Sequence, residues 1–172
     1  MIDEGLRLTL ANRLDALEPA RQAMAAAGRV ETRRQAEAAL VARVAAAGLP
    51  TRLRLDADLD GSCAGVELAA YRVVQEALTN CLKHASADNA EVVVGLDRHG
   101  SGSAAGVALQ LEVWDDGSGA GADAGTCGHG ISGMHERVSV YGGTLSAGPG
   151  SDGGYRVSAR IPLVAECRAG VA

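Results

Sequence analysis

The stretch GVELAAYRVVQEALTNCLKHA, residues 65–85, is the most strongly patterned part of this 172-residue chain. Its apolar residues recur at i, i+3, i+4, i+7 and i+8, which is the spacing of an α-helix that buries one face. We therefore predict a long helix whose apolar stripe packs against other elements. The residues of that stripe are Val66, Ala69, Ala70, Val73, Val74, Ala77, Leu78, Cys81 and Leu82.

Glu76 and Asn80 stand one helical turn apart at the edge of this stripe rather than on the polar side of the helix. A carboxylate and an amide aimed toward a core are costly unless something satisfies them. Mg²⁺ with its waters and phosphates would do so, because it favours one or two protein oxygens together with substrate phosphates. The carboxylate could also act as a general base. A buried hydrogen-bonded pair that holds the helix to a neighbouring loop is the alternative, and the helix alone leaves both interpretations open.

Lys83 and His84 close the same predicted helix. Lys83 could reach a phosphate, or it could simply complement the negative end of the helix dipole. For His84 we expect a hydrogen-bonded position near the core.

The sequence on either side of this helix alternates between helical and strand patterns. Helical spacing covers 5–27, 31–47 and 131–141, and Gly48-Leu49-Pro50 is a typical helix stop. Alternating apolar residues predict strands at 53–57, 91–97, 107–114, 144–147 and 155–163. The order of these elements predicts an α/β (α+β two-layer) sandwich, with helices on one face of a mixed, mostly antiparallel sheet. We place this domain at 49–165, after an N-terminal helical segment at 1–48 and before a flexible tail at 166–172.

Composition excludes several classes of protein. A formal net charge of -5 and an aromatic content of 2% argue against a nucleic-acid binder, which would carry a basic footprint and stacking aromatics. No apolar run approaches the roughly 20 residues that cross a bilayer, and no signal peptide opens the chain. We therefore expect no membrane segment in this chain and a cytoplasmic location. The cysteines lack C-x-x-C spacing, which predicts free thiols at Cys63, Cys81, Cys127 and Cys167.

A second cluster, DDGSG at 115–119, directly follows a predicted strand. Asp115 leaves the sheet where the chain turns, and Gly117 and Gly119 would let the backbone approach a flat ligand closely. An aspartate in this place can accept a hydrogen bond from an exocyclic amine such as that of adenine. An ordinary acidic turn is the alternative.

A third cluster, GHGISG at 128–133, runs into a predicted helix after a long glycine-rich stretch without periodicity. Glycines at a helix N-terminus expose backbone N–H groups to an anion, and the helix dipole adds to the attraction. This cluster does not directly follow a strand or open a parallel βαβ unit, so we do not expect NAD binding. Taken in order, the three clusters would supply metal, base and phosphate contacts.

Together these motifs resemble the ATPase domain shared by gyrase, the heat-shock chaperone of that class, MutL and histidine kinases, and within that group they are most similar to histidine kinases of the nitrate-sensor type. The resemblance covers residues 66–163, more than half of the chain, and implies a Bergerat-type ATPase fold. The motifs that carry it are YRVVQEALTN at 71–80, KHA at 83–85, DDGSG at 115–119, GHGISGM at 128–134, ERV at 136–138 and GG at 142–143.

The resemblance implies ATP as the bound nucleotide and Mg²⁺ as its metal. Asn80 would coordinate Mg²⁺, Glu76 would act as the base or orient the attacking group, and Asp115 would hold the adenine amine. Residues 120–130 would form a lid over ATP. The nucleotide-binding residues that it implies are Asn80, Lys83, Asp115, Gly117, Gly119, Gly128, Gly130 and Gly133.

The implied activity is that of an ATP-dependent protein-histidine kinase, which passes the γ-phosphate to a histidine and then to an aspartate of a response regulator. In such kinases the phosphoacceptor histidine lies on a helix before the ATPase domain, whereas no histidine precedes His84 here. We therefore expect a phosphoacceptor and dimerisation domain in cis or in trans, with a homodimer as one arrangement, and the cytosolic part of a membrane-bound sensor is compatible with this. Relatives usually carry Gly-Thr where this chain has Gly154-Tyr155, which changes the back of the adenine pocket.

Other functions are compatible with the same ATP site. A serine kinase or anti-sigma module would use the nucleotide to capture a partner. A hydrolytic ATPase of the gyrase or MutL type needs a further domain that contributes a lysine, for which we expect no room in this chain. A degenerate nucleotide sensor is a further alternative, although the intact Glu76, Asn80 and Asp115 argue against it.

Overall fold

A computed structural model describes residues 30–55, 64–98, 106–118, 128–151 and 153–163. The predicted helix at 5–27, the end of the first predicted strand at Ala57 and the tail at 166–172 lie outside these ranges. Within them the chain forms, in order, helix α1 at Val30–Ala46, strand β1 at Thr51–Leu55, helix α2 at Ala64–His84, strand β2 at Ala90–Asp97, strand β3 at Ala108–Asp115, helix α3 at Gly128–Ser139, strand β4 at Thr144–Pro149 and strand β5 at Tyr155–Pro162.

The strands form one sheet of five strands in the order β1-β2-β3-β5-β4. The β1–β2 pair is parallel, and the other three pairs are antiparallel. A parallel pair needs a long crossover connection, and α2 supplies it between β1 and β2. The predicted mixed, mostly antiparallel sheet is therefore confirmed.

The core lies between one face of this sheet and the helices. All nine residues of the predicted α2 stripe are buried, so the helical pattern of residues 65–85 is confirmed. They pack against buried side chains that adjacent strands present in register, since successive residues of a strand point to opposite faces. These cross-strand sets are Val92–Val113–Val157, Val94–Leu111–Ala159 and Leu109–Ile161.

The opposite face of the sheet is less covered. Along β3 the exposed Gln110 and the half-buried Glu112 and Trp114 alternate with buried apolar residues. This alternation is what a sheet with helices on one face produces.

Helix α1 contributes to the same core through Leu40, Val41 and Val44. It ends where predicted, because Gly48 adopts a left-handed φ of 96° and the Leu49 N–H turns back to the Val44 carbonyl. The division of the chain at residue 48 stays a prediction. Of the helices in the described ranges, none is long and apolar enough to span a bilayer.

Candidate functional site

Helices α2 and α3 bring the first and third sequence clusters together. Glu76 and Asn80 are half-buried on α2, and Gly130 lies in the first turn of α3 against them. A Cβ atom at Gly130 would collide with Glu76 Oε1 and would stand 3.6 Å from Asn80 Nδ2. A glycine is therefore needed at this crossing, and it leaves the carboxylate and the amide beside the N-terminal turn of α3.

The N-terminus of α3 differs from the prediction. The helix begins at Gly128 rather than Ile131, so Gly128 and Gly130 form its first turn instead of preceding it. Residues 120–127 of the predicted lid lie outside the described residues. The N–H groups of a first helical turn have no acceptor within the helix and lie at the positive end of the dipole, which suits an anion. Gly133, which was expected to border the phosphates, lies deeper in the helix, where its N–H can donate within the helix. The nearest contact of its Cβ position is the Arg137 guanidinium, at 3.0 Å.

Asp115 is the last residue of β3, and its side chain is buried with 2% of its surface exposed. Its Oδ1 accepts a hydrogen bond from the Gly117 N–H at 2.9 Å, and its Oδ2 accepts one from the Cys81 thiol at 3.3 Å. A buried carboxylate is costly without such donors. Burial, followed by the negative charge of Asp115, raises the pKa of Cys81 well above its usual value, so the thiol keeps its proton and can donate it.

Close packing of the protein's own backbone explains two of the glycines near Asp115. A Cβ at Gly117 would collide with the Ala85 carbonyl oxygen just after α2. Gly154 has a φ of 70°, and a Cβ there would collide with the Asp115 carbonyl oxygen. Because Gly117 and Gly154 have no side chain, neighbouring backbone can pack closely against the end of β3 at both positions. Gly119 lies outside the described residues.

A cavity of about 240 Å³ lies beside the end of β3. Its lining includes Trp114, Asp115, Gly117, Gly154 and Tyr155. Tyr155 thus lines the same cavity as Asp115.

Asp116 has a structural role that the sequence did not reveal. Its Oδ1 accepts hydrogen bonds from the Asp88 and Asn89 N–H groups at 2.9 and 2.8 Å, and its Oδ2 accepts one from Asn89 Nδ2 at 2.8 Å. Burial acts to raise the pKa of Asp116, but the hydrogen bonds from the Asn89 side chain and from both backbone groups outweigh it, so the pKa lies below its ordinary value. Asp116 thereby ties the end of β3 to the segment before β2.

The two basic residues at the end of α2, Lys83 and His84, differ in burial. Lys83 is half-buried in the last turn of α2, three residues after Asn80. His84 is exposed, so the prediction that it lies near the core is wrong. It is the last residue of α2, and the next residue, Ala85, takes the buried position.

Residues 65–165 match the family described as histidine kinase-, DNA gyrase B- and HSP90-like ATPase. The chain belongs to this ATPase family. Membership of an ATPase family implies ATP binding, and the crossing of α2 and α3 beside Asp115 lies inside the matched range.

Several sensor histidine kinases are similar to this ATPase domain. YxjM of Bacillus subtilis is 34% identical over 94 residues, which cover 55% of this chain and 21% of that protein. UhpB of Salmonella typhimurium, a histidine-protein kinase/phosphatase, is 39% identical over 92 residues, covering 54% and 16%. The oxygen sensor histidine kinase NreB of Staphylococcus carnosus is 35% identical over 100 residues, covering 57% and 26%. The chain therefore spans about a quarter or less of the length of these relatives.

A solved structure shows the same fold. The histidine kinase domain of the blue-light activated histidine kinase EL346 of Erythrobacter litoralis superposes with a TM-score of 0.58, covering 95% of this chain and 76% of that one. The sequence identity is 22%, so this likeness concerns the fold alone. It agrees with the predicted two-layer α/β sandwich of the ATPase family.

Proposed function

We propose that this chain is the ATP-binding catalytic domain of a two-component sensor histidine kinase, which transfers the γ-phosphate of Mg-ATP to a histidine for relay to a response regulator. The observation that carries the proposal is the meeting of Glu76, Asn80 and Gly130 at the α2–α3 crossing. The similar proteins named above are sensor histidine kinases, which supports this member of the ATPase family over the others.

The base of the nucleotide would bind at Asp115. A buried carboxylate whose oxygens are already oriented by two donors can still accept a hydrogen bond from the adenine amine, because each oxygen has more than one lone-pair direction. Gly117 and Gly154 hold the backbone on either side of it, and we also propose Gly119 as part of this pocket. Guanine presents a carbonyl oxygen at the corresponding position, so the carboxylate would disfavour it.

The phosphates would lie at the first turn of α3. The N–H groups of Gly128 and Gly130 and the positive end of the helix dipole favour negative charge there. Lys83, half-buried in the last turn of α2, would add a positive charge. Phosphoryl transfer needs little covalent chemistry from the protein, so positioning and charge stabilisation of this kind are the main contributions expected.

The metal would be held by Asn80. Its amide and the neighbouring Glu76 offer oxygen atoms, which Mg²⁺ prefers, and magnesium supplies charge neutralisation on the phosphates. In the described part of the chain no group of three or more His, Cys, Asp or Glu side chains could hold a metal by itself. A metal at Asn80 would therefore depend on oxygens of the nucleotide. Glu76 would orient the attacking histidine or accept its proton.

The phosphoacceptor histidine would come from a dimerisation domain, in cis or in trans, since no histidine precedes His84 in the sequence. The N-terminal segment at 1–48 would be a remnant of that domain or its replacement. We place the reaction in the cytoplasm, where ATP and response regulators are available, and we propose no nucleic-acid partner for a chain of net charge -5.

Calorimetric titration of the chain with ATP, with and without Mg²⁺, tests this function. We expect Mg²⁺-dependent binding that falls at least about tenfold in Asn80→Ala, because one metal ligand is lost. Gln110→Ala is the matched control, since it removes an exposed amide from the open face of the sheet. Equal affinity in Asn80→Ala and the parent would contradict the metal assignment, whereas a parent that binds no ATP would contradict the proposed function itself.

The transfer step is tested by supplying a histidine-bearing dimerisation domain in trans with γ-labelled ATP. Labelled, acid-labile phosphohistidine on that domain is the expected product. Glu76→Gln should lower its rate of formation more than it lowers ATP affinity, since the carboxylate is proposed to act on the attacking group. Transfer at the parent's rate would contradict the role of Glu76.

A further inference from the structure

We infer that Cys81 is a positioning residue for base recognition: its thiol holds the Asp115 carboxylate in the orientation that accepts the adenine amine. The inference rests on the proposed function, because it assigns Asp115 to the base of ATP. Nothing in the apolar pattern of α2 distinguished Cys81 from the other stripe residues.

The geometry places one donor on each oxygen of the carboxylate. Cys81 Sγ lies 3.3 Å from Oδ2, and the Gly117 nitrogen lies 2.9 Å from Oδ1. Two donors on different oxygens resist rotation of the carboxylate about its Cβ–Cγ bond, a torsion that is otherwise broad. Since Asp115 is only 2% exposed, water cannot readily replace either donor.

The direction of the hydrogen bond follows from its two partners. Cys81 Sγ carries the only hydrogen that the pair can share and lies 3.3 Å from Asp115 Oδ2, and a carboxylate oxygen accepts. The thiol therefore donates and the carboxylate accepts. A carboxylate fixed as an acceptor matches the amine of adenine and opposes the carbonyl oxygen of guanine.

Cys81→Ala removes the donor with only a small change in volume, because it deletes just the sulfur atom. The residues four positions before and after, Ala77 and Ala85, are themselves buried alanines, 1% and 7% exposed. The donor can therefore be removed with little disturbance of the packing.

The experiment compares ATP with purine riboside triphosphate, which lacks only the 6-amino group, by calorimetry on the full chain. Cys81→Ala and Cys81→Val remove the donor, and Cys81→Ser retains one. We expect the two donor-free variants to lose about three- to tenfold in ATP affinity. The lost hydrogen bond has a charged acceptor, but its sulfur donor is weak, so the loss should be modest. Affinity for the purine nucleotide should stay at the parent value, and Cys81→Ser should keep the parent's ratio between the two nucleotides.

A matched control for lost packing is Val66→Ala, which deletes buried methyl groups from α2 about 15 residues before Cys81. It should leave the ratio of the two affinities unchanged. If Cys81→Ala and Cys81→Val leave the ratio of the two affinities at the parent value, the inference is overturned. An equal loss of affinity for both nucleotides would then mean that Cys81 has a structural role only. If the parent binds neither nucleotide, it is the proposed function that fails.

Discussion

Replacing Gly154 with alanine should separate backbone strain from steric conflict at the end of β3. A left-handed φ such as the 70° of Gly154 costs an alanine about 1–2 kcal/mol. The reduced entropy of the unfolded chain returns about 0.4–1 kcal/mol. The new Cβ would also collide with the Asp115 carbonyl oxygen and stand 3.4 Å from Asp116 Cα, and relieving such overpacking costs about 1–3 kcal/mol. We expect a total destabilisation of about 1–5 kcal/mol.

Gly142→Ala is the matched control, because Gly142 has a φ of 66° but no atom within 4 Å of its Cβ position. It should cost only the conformational part, about 0–1.6 kcal/mol. Urea denaturation, monitored by far-ultraviolet circular dichroism, would give the change in the free energy of unfolding for both variants. Gly154→Ala should also weaken ATP binding, since relief of the collision must move Asp115. Equal destabilisation by the two substitutions, with ATP affinity unchanged, would refute the reasoning.

Three further predictions address recognition of the nucleotide base, the hydrogen bonds of Asp116 and helix α1. Asp115→Asn should lower the preference for ATP over GTP, because an amide can also donate to the guanine oxygen; unchanged selectivity would contradict base recognition by Asp115. Asp116→Ala should destabilise the domain by about 1 kcal/mol at neutral pH, since exposure weakens its bonds to Asn89. Because the folded pKa of Asp116 is lowered, this difference should be full above about pH 4 and should fade as the pH falls through the folded pKa, which denaturation at several pH values would measure. Leu40→Ala should cost about 2–5 kcal/mol in one cooperative transition; a loss near zero would mean that α1 is not part of the domain's folding unit.

Much of the fold could be predicted because its elements have strong periodicities. The stripe of α2 repeats over five turns, and the alternating residues of β5 are Tyr155, Val157, Ala159 and Ile161, of which the last three are buried. The start of α3 was placed too late because Gly128 and Gly130 have poor helix propensity, and glycines before an apolar run normally indicate a loop. Tertiary packing of Gly130 on Glu76 outweighs that propensity here.

The site was predictable in its motifs but not in its contacts. Asp115 was identified from a turn after a strand, yet its bond to Cys81 joins residues 34 positions apart. Helical periodicity shows which face Cys81 lies on but not which atom of β3 it meets. The hydrogen bonds of Asp116 to the segment before β2 are equally non-local, since they depend on the register that pairs Ala90 with Asp115. The order of residues along the chain does not determine these distances.

Trp114 is the only tryptophan in the chain and immediately precedes Asp115. Successive side chains of a strand point to opposite faces, so the half-buried indole lies on the open face of the sheet while the carboxylate lies on the helical face. The intrinsic tryptophan fluorescence of this protein therefore comes from a single site on the central strand β3. Trp114 also lines the cavity beside Asp115, so its emission should report both the integrity of the sheet and the occupancy of that cavity.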